Sequence, residues 1–253
     1  MLNIFKTKPL LSETDREFQV ETFRWLLRNF GGKDFYEDTV LVLPTKEYFP
    51  DKVDSEDEAV KATFARVKEY AGMQEWQCIL ERQEDNIDPR VNEYMQVENT
   101  PVAPLGTFSA NDNNEIIITY NPAIVANPTN LVATFAHELA HYLTGGCKEP
   151  PPGGWDNWEF ATDLAAVFMG FGIFMANSAF SFRQFQSASA MGWQAQRNGY
   201  LSEVEYAYAL AIFCKLKNLD EHQPLPLLDK GISKLYRKSL VEINTMDLIK
   251  QIK

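Results

Sequence analysis

The chain has 253 residues, enough for one generous domain or a domain with a helical annex at about 150 residues per domain. Its 45% hydrophobic and 13% aromatic content excludes an intrinsically disordered chain, and a formal net charge of −11 removes the basic footprint that a phosphate backbone requires, so no nucleic-acid partner is expected. Three cysteines at unrelated spacings, Cys78, Cys147 and Cys214, exclude a disulfide-stapled scaffold, and no apolar run of signal-peptide length lies between Met1 and Phe18, so a reducing, cytoplasmic location is expected.

Helix signals open the chain. Ser12 with Asp15 three residues on predicts a helix from about Thr14 to Phe30, stopped by Gly31-Gly32. A strand is predicted at Thr39 to Leu43. The pair Ser55 and Glu58 predicts a second helix, with Val60, Phe64, Val67 and Ala71 on one face and Gly72 as its stop, and Trp76 to Leu80 reads as a second strand. From Glu84 to about Val102 the sequence is polar, Pro-punctuated and aperiodic, a candidate lid or rim. Thr107 to Ala110 and Glu115 to Tyr120 then predict a hairpin turned at Asn111-Asp112-Asn113-Asn114.

The remainder reads as helical. Asn127-Pro128 is a helix start and Gly145-Gly146 its stop. Further helices are predicted at Asn157 to Phe180, at Ser202 to Lys217 with the box Ser202 and Glu205, and at Leu227 to about Ile243. Leu164 to Ala176 is almost wholly apolar, but 13 residues fall short of the 18 or more that span a bilayer, so a buried helix and no membrane span are expected. Lys230 to Lys253 carries six basic and two acidic side chains, read as a solvated helix face.

Chemistry concentrates in the helix after Pro128, at His137-Glu138-Leu139-Ala140-His141. Residues four apart lie one above the other on a helix, so His137 and His141 can grip one metal ion. Glu138 is rotated by about 100°, beside the ion, where a general base can take a proton from metal-bound water. Two histidines on an otherwise apolar helix can also be core residues, but a buried imidazole pair is costly without a shared cation.

A catalytic zinc needs a third protein ligand and an open fourth position. A histidine six residues after His141 is excluded because Cys147 stands there, with Thr144 where that pattern has glycine; Cys147 itself is a conceivable thiolate ligand. The better candidate is Glu159, 18 residues beyond His141, on a helix that the Pro150-Pro151-Pro152-Gly153-Gly154 turn can return antiparallel. Asp163 lies one turn further on the same face, where it can accept the other ring N–H of His137. A capping box begun by Asp156 would explain Glu159 but not Asp163. Gly170, on roughly the same stripe, would permit close helix contact. For a donor to a developing oxyanion the candidates are His222 and the tyrosines Tyr200, Tyr206 and Tyr208.

His137, Glu138, His141, Glu159 and Asp163 together resemble the zincin metallopeptidases of the gluzincin group. The resemblance covers about residues 104 to 175 and implies the roles of metal ligand, general base, metal ligand, metal ligand and outer partner for these five residues in turn. It also implies that the outer strand of the preceding hairpin forms the upper edge of the substrate cleft. The expected fold is α+β: a short mixed or antiparallel sheet over the metal-binding helix and a C-terminal helical part, divided as an N-terminal helix (1–37), a zincin-like core (38–180) and a C-terminal extension (181–253). The expected function is peptide or protein hydrolysis with one Zn2+ and Glu138 as base. The alternative is a catalytically weak or inactive zinc-binding regulatory protein on the same fold.

Overall fold

Polar caps fix where the helices begin. In the computed structural model, which describes residues 9–84, 104–179 and 201–253 and the backbone of 90–92 and 95–96, Ser12 Oγ accepts the Asp15 N–H at 3.1 Å and starts helix α1, Glu13–Phe30. Ser55 Oγ accepts the Glu58 N–H at 3.2 Å and starts α2, Glu56–Tyr70, while the Glu58 carboxylate receives the N–H of Asp54. Each cap satisfies a first-turn donor that has no partner within its own helix. α1 then buries Val20, Phe23 and Leu26, and α2 buries Val60, Phe64 and Val67.

Between these helices the strand expected at Thr39 to Leu43 does not form. The chain makes a π-helical turn at Asp34–Asp38 and then runs extended without a strand partner. Leu41 and Val42 are nevertheless buried, and the Val42 N–H donates to Gly170 O at 3.0 Å. The apolar run thus reflects burial against a helix, which supplies a backbone acceptor where a sheet would have. Gly170 makes this approach possible: it sits at φ 100°, and a Cβ there would lie 2.0 Å from Val40 O.

Three strands, β1 (Ile79–Arg82), β4 (Gly106–Ala110) and β5 (Ile116–Tyr120), form a mixed sheet in the order β1-β5-β4, while the short β2 (Arg90–Asn92) and β3 (Met95–Gln96) pair antiparallel as a separate ribbon. β1 begins at Ile79, later than the expected Trp76; Trp76 instead packs edge-on against Tyr142. β1 runs parallel to β5, and β4 antiparallel to it from Gly106↔Tyr120 to Ala110↔Ile116. The hairpin turn is closed by Asn111, whose Oδ1 accepts the N–H groups of Asn113 and Glu115. Apart from Glu84 and the backbone of β2 and β3, the candidate lid from Glu84 to Val102 lies outside the described residues.

The helical layer beneath the sheet starts with α3, Pro128–Gly145, capped by Asn127 Oδ1 on the Asn130 N–H. Next come α4 (Trp158–Ala166), a wide turn at Val167–Phe171, and a continuation, α5, over 172–179. α6, Glu203–Leu216, is opened by a reciprocal box of Ser202 and Glu205; α7 (Lys230–Met246) and α8 (Leu248–Ile252) follow. Ile232, Tyr236, Leu240 and Ile243 of α7 point inward, while Lys230, Lys234, Arg237 and Lys238 face solvent. The architecture is α+β, and one apolar core runs from Leu11 to Ile252.

The apolar helix is longer than its 13-residue apolar stretch suggested. By length and composition Trp155–Ala179 suffices to cross a membrane, yet 89% of its most apolar window is buried inside the protein. Its neighbours are α1, α3 and α6. Burial on all sides requires no polar face, and this accounts for the composition.

Candidate metal centre

α3 displays two imidazoles because its other faces are spent on the core. Leu131, Val132, Phe135, Ala136, Leu139 and Ala140 are buried, leaving His137 and His141 one turn apart on the side that meets α4. α4 returns antiparallel: Trp158 Nε1 donates to Thr144 Oγ1 at 2.8 Å, Glu159 and Thr162 lie beside His141, and Asp163 lies beside His137. The turn between Gly145 and Gly154 performs the expected reversal.

Three potential ligand atoms converge between the helices. His137 Nε2 and His141 Nε2 are 3.1 Å apart, and Glu159 Oε2 lies 3.4 Å from the first and 3.3 Å from the second. A tetrahedral ion with bonds of about 2.0–2.1 Å sets its ligand atoms about 3.3–3.4 Å apart, so the spacing fits such an ion. Among the described residues these three form a group that can hold a metal ion. Glu159 has 49% of its side chain exposed, so the group is open on that flank.

Each ring is held from behind. Asp163, fully buried, accepts His137 Nδ1–H at 2.9 Å through Oδ1, and its Oδ2 accepts the Leu201 N–H at 2.9 Å. That second bond ties the centre to the start of α6. His141 Nδ1 lies 3.3 Å from Thr162 Oγ1, so a hydrogen on Nδ1 is donated to the hydroxyl and Nε2 is left as the ligand atom. Phe108 of β4 stacks on the His141 ring at 6.1 Å, and Trp158 meets it edge-on at 4.8 Å. Sequence spacing anticipated Asp163 but not Thr162, Leu201 or Phe108; a hydroxyl three residues after a glutamate ligand was the one signal present for Thr162.

Glu138 stands next to the group without joining it. Its side chain is buried, and burial pushes its carboxyl up to about 7, with His137 pulling the other way. It lies under the first residue of β4: a Cβ on Gly106 would come within 2.8 Å of Glu138 Oε1, 2.6 Å of Thr134 Cγ2 and 3.0 Å of Thr119 O. The outer edge of β4 passes over it. Leu105 and Asn111 exchange backbone hydrogen bonds with the β5 side, so by the antiparallel alternation Gly106, Phe108 and Ala110 turn their N–H and C=O groups to the free edge.

The charge in the group suits a cation. Burial disfavours a charged His137, but the hydrogen bonds with Asp163 and Glu159 outweigh it and raise the ring to about 10. Burial would raise the Glu159 carboxyl, yet its contacts with His137 and His141 hold it far below the usual carboxylate range. The His141 ring is lowered, chiefly by burial. The charged His137 ring lies between the carboxylates of Asp163 and Glu159, with its Nε2 proton on the side where a bound cation would sit.

The other candidates lie elsewhere. Glu159 forms no capping box with Asp156: the residue before α4 is Asn157, which makes no side-chain cap, and the Glu159 carboxylate is turned to the two imidazoles. Cys147 is half-buried, its thiol pushed up by desolvation, and it is not in the ligand group. His222 is exposed beyond the C-terminal end of α6, whereas Asp163 holds Leu201, just ahead of the N-cap at the other end of this 14-residue helix, which is about 20 Å long. Tyr206 and Tyr208 are buried in α6, with the Tyr208 hydroxyl donating to Glu242 Oε1 at 3.2 Å, and Tyr200 lies outside the described residues. No protein-family model, curated protein or solved structure matches the chain.

Proposed function

We propose that the chain is a zinc-dependent peptidase of the gluzincin kind, holding one Zn2+ with His137, His141 and Glu159 and using Glu138 as general base. The observation that carries this reading is the triangle of ligand atoms at 3.1 to 3.4 Å with a buried, non-ligating carboxylate beside it. A structural zinc is closed by four protein ligands; the described residues bring three, with the Glu159 flank open. Bound zinc supplies Lewis acidity to an amide carbonyl and brings the pKa of water into the neutral range.

The chain's own groups do the rest. Glu138, with its proton affinity near neutrality, takes a proton and returns it to the departing nitrogen. Asp163 and Thr162 keep both Nδ1 atoms engaged, so that the Nε2 atoms stay turned to the ion. The outer edge of β4 offers the N–H and C=O groups of Gly106, Phe108 and Ala110 to an extended peptide. Three free thiols suit a reducing compartment such as the cytoplasm.

The test is turnover of a peptide library by the zinc-loaded protein and by Glu138→Gln. The variant is expected to keep its zinc and thermal stability while losing at least about 100-fold in turnover. Equal cleavage by the variant contradicts the mechanism. A zinc-loaded wild type that cleaves nothing while binding a protein partner supports the regulatory alternative instead.

A further inference from the structure

Four cationic side chains gather around one open cavity where α8 packs on α1. Arg24 and Arg28 lie one turn apart on one face of α1, and Lys250 and Lys253 come from α8 and its end. The cavity has a volume of about 840 Å3 and shares no residue with the candidate metal centre. α1 meets α4 near its own start, where Phe18 packs edge-on against Phe160 at 6.4 Å. Arg28 lies about 15 Å further along the α1 axis.

Counter-charges do not account for this gathering. Arg24 donates to the Gln251 carbonyl and to the Glu21 carboxylate, and Lys250 pairs with Asp247 at 2.5 Å. Arg28 and Lys253 have no ion-pair partner among the described residues, and no acidic side chain lines the cavity. Helix-end chemistry explains part of the arrangement: Arg24 satisfies a carbonyl at the end of α8, and Arg28 stands in the last turn of α1, where a cation is favoured. It does not explain why all four converge on one space, where they repel one another. An anion shared among them relieves that repulsion.

We propose that this cavity binds a small phosphate ester of the nucleoside-diphosphate kind, a polyanionic head joined to a planar, partly apolar body. The inference is independent of the peptidase reading. Guanidinium forks match phosphate oxygens two at a time, and ammonium groups add point charge. The volume falls within the range of about 300–1,000 Å3 typical of small-molecule sites. Leu27 and Ile252 supply apolar wall for the body of the ligand. Tyr36 lines the same cavity, 43% exposed and braced edge-on at 5.0 Å by the buried Phe35, and offers a ring to a planar group. Because the chain as a whole carries −11, general attraction for anions is not the source of such binding.

The test titrates ADP, pyrophosphate, adenosine and citrate into the full chain by calorimetry. ADP is expected to bind about tenfold more tightly than pyrophosphate, from the apolar area its body removes from water. Adenosine, which lacks the charge, is expected not to bind, and citrate to bind more weakly than pyrophosphate. Arg28→Glu, at an exposed position, is expected to lower ADP affinity by at least about tenfold, and Arg28→Lys, which keeps the charge but loses the fork, by less. Tyr36→Ala should bring ADP down to the level of pyrophosphate. Lys234→Glu makes the same change of charge sign on the exposed face of α7, outside the cavity, and should leave ADP affinity unchanged. No binding of ADP, equal affinity for citrate, or an equal loss in Lys234→Glu overturns the proposal. So does unchanged affinity in Arg28→Glu, the result expected of a phosphate resting on a metal ion. Binding to vesicles that carry a phosphatidylinositol bisphosphate, with none to ADP, overturns it in favour of a lipid headgroup.

Discussion

His137 and His141 are ligand candidates because something other than a metal fixes their far nitrogens. The Asp163 bond is charge-assisted at 2.9 Å, while Thr162 offers a neutral hydroxyl at 3.3 Å. Asp163→Asn is therefore expected to weaken zinc affinity by about 10- to 100-fold and Thr162→Val by less, measured by competition with a chelating dye. Equal affinity in Asp163→Asn and wild type would remove Asp163 from the centre. The same bonds set a pH dependence. His137 is raised from 6.5 to about 10 in the metal-free fold, so its contribution to stability is complete below about 6.5 and is lost as pH rises through about 10. A ring that ligates must shed this proton, so zinc affinity falls as pH falls, by up to about tenfold per unit below pH 10. Calorimetry in two buffers of different ionisation enthalpy should find proton release on zinc binding at pH 7. No release together with a flat affinity from pH 6 to 8 contradicts this account of His137.

At the scale of elements, Gly106 joins strand to site. A methyl group at this position meets Glu138 Oε1, Thr134 Cγ2 and the Thr119 carbonyl at once, so either β4 or the Glu138 side chain must move. Gly106→Ala is expected to retain zinc while lowering turnover and to cost about 1–3 kcal/mol of stability in denaturant unfolding. Wild-type turnover and stability in this variant would mean that β4 does not press on the base. Local chemistry made many elements legible in the sequence: the caps at Ser12, Ser55, Asn127 and Ser202, and the turn at Asn111, each act through residues a few positions away. The segment Thr39 to Leu43 departs from the expected strand for the converse reason. Its apolar residues answer to Gly170, more than a hundred positions later, and no local pattern distinguishes burial against a helix from burial in a sheet. The site divides in the same way. His137, Glu138, His141, Glu159 and Asp163 are related by helical spacing and one chain reversal, whereas Thr162 as a partner of His141, the Leu201 N–H on Asp163, and Phe108 over His141 depend on how distant elements meet.

The whole molecule wraps this centre in a continuous core. α4 carries Glu159 and Asp163 into the protein on a helix whose apolar continuation is almost entirely enclosed, so Glu159 sits at the wet end of a dry element and Asp163 one turn inside it. The Leu201 N–H on Asp163 links the helix pair that carries the candidate ligands to α6, on which α7 packs, while α8 also packs on α1. Ligation should therefore stabilise the entire fold, since an ion bound by the native state alone shifts unfolding by mass action. A chelator is expected to lower the melting temperature of wild type and to have little effect on Glu159→Ala. The most direct test of the central claim is metal analysis of purified wild type, Glu138→Gln, His137→Ala, His141→Ala and Glu159→Ala after desalting. The first two should retain about one zinc per chain and the last three a small fraction of it. Full occupancy in Glu159→Ala, or a wild type that retains no zinc, would contradict a centre built from His137, His141 and Glu159.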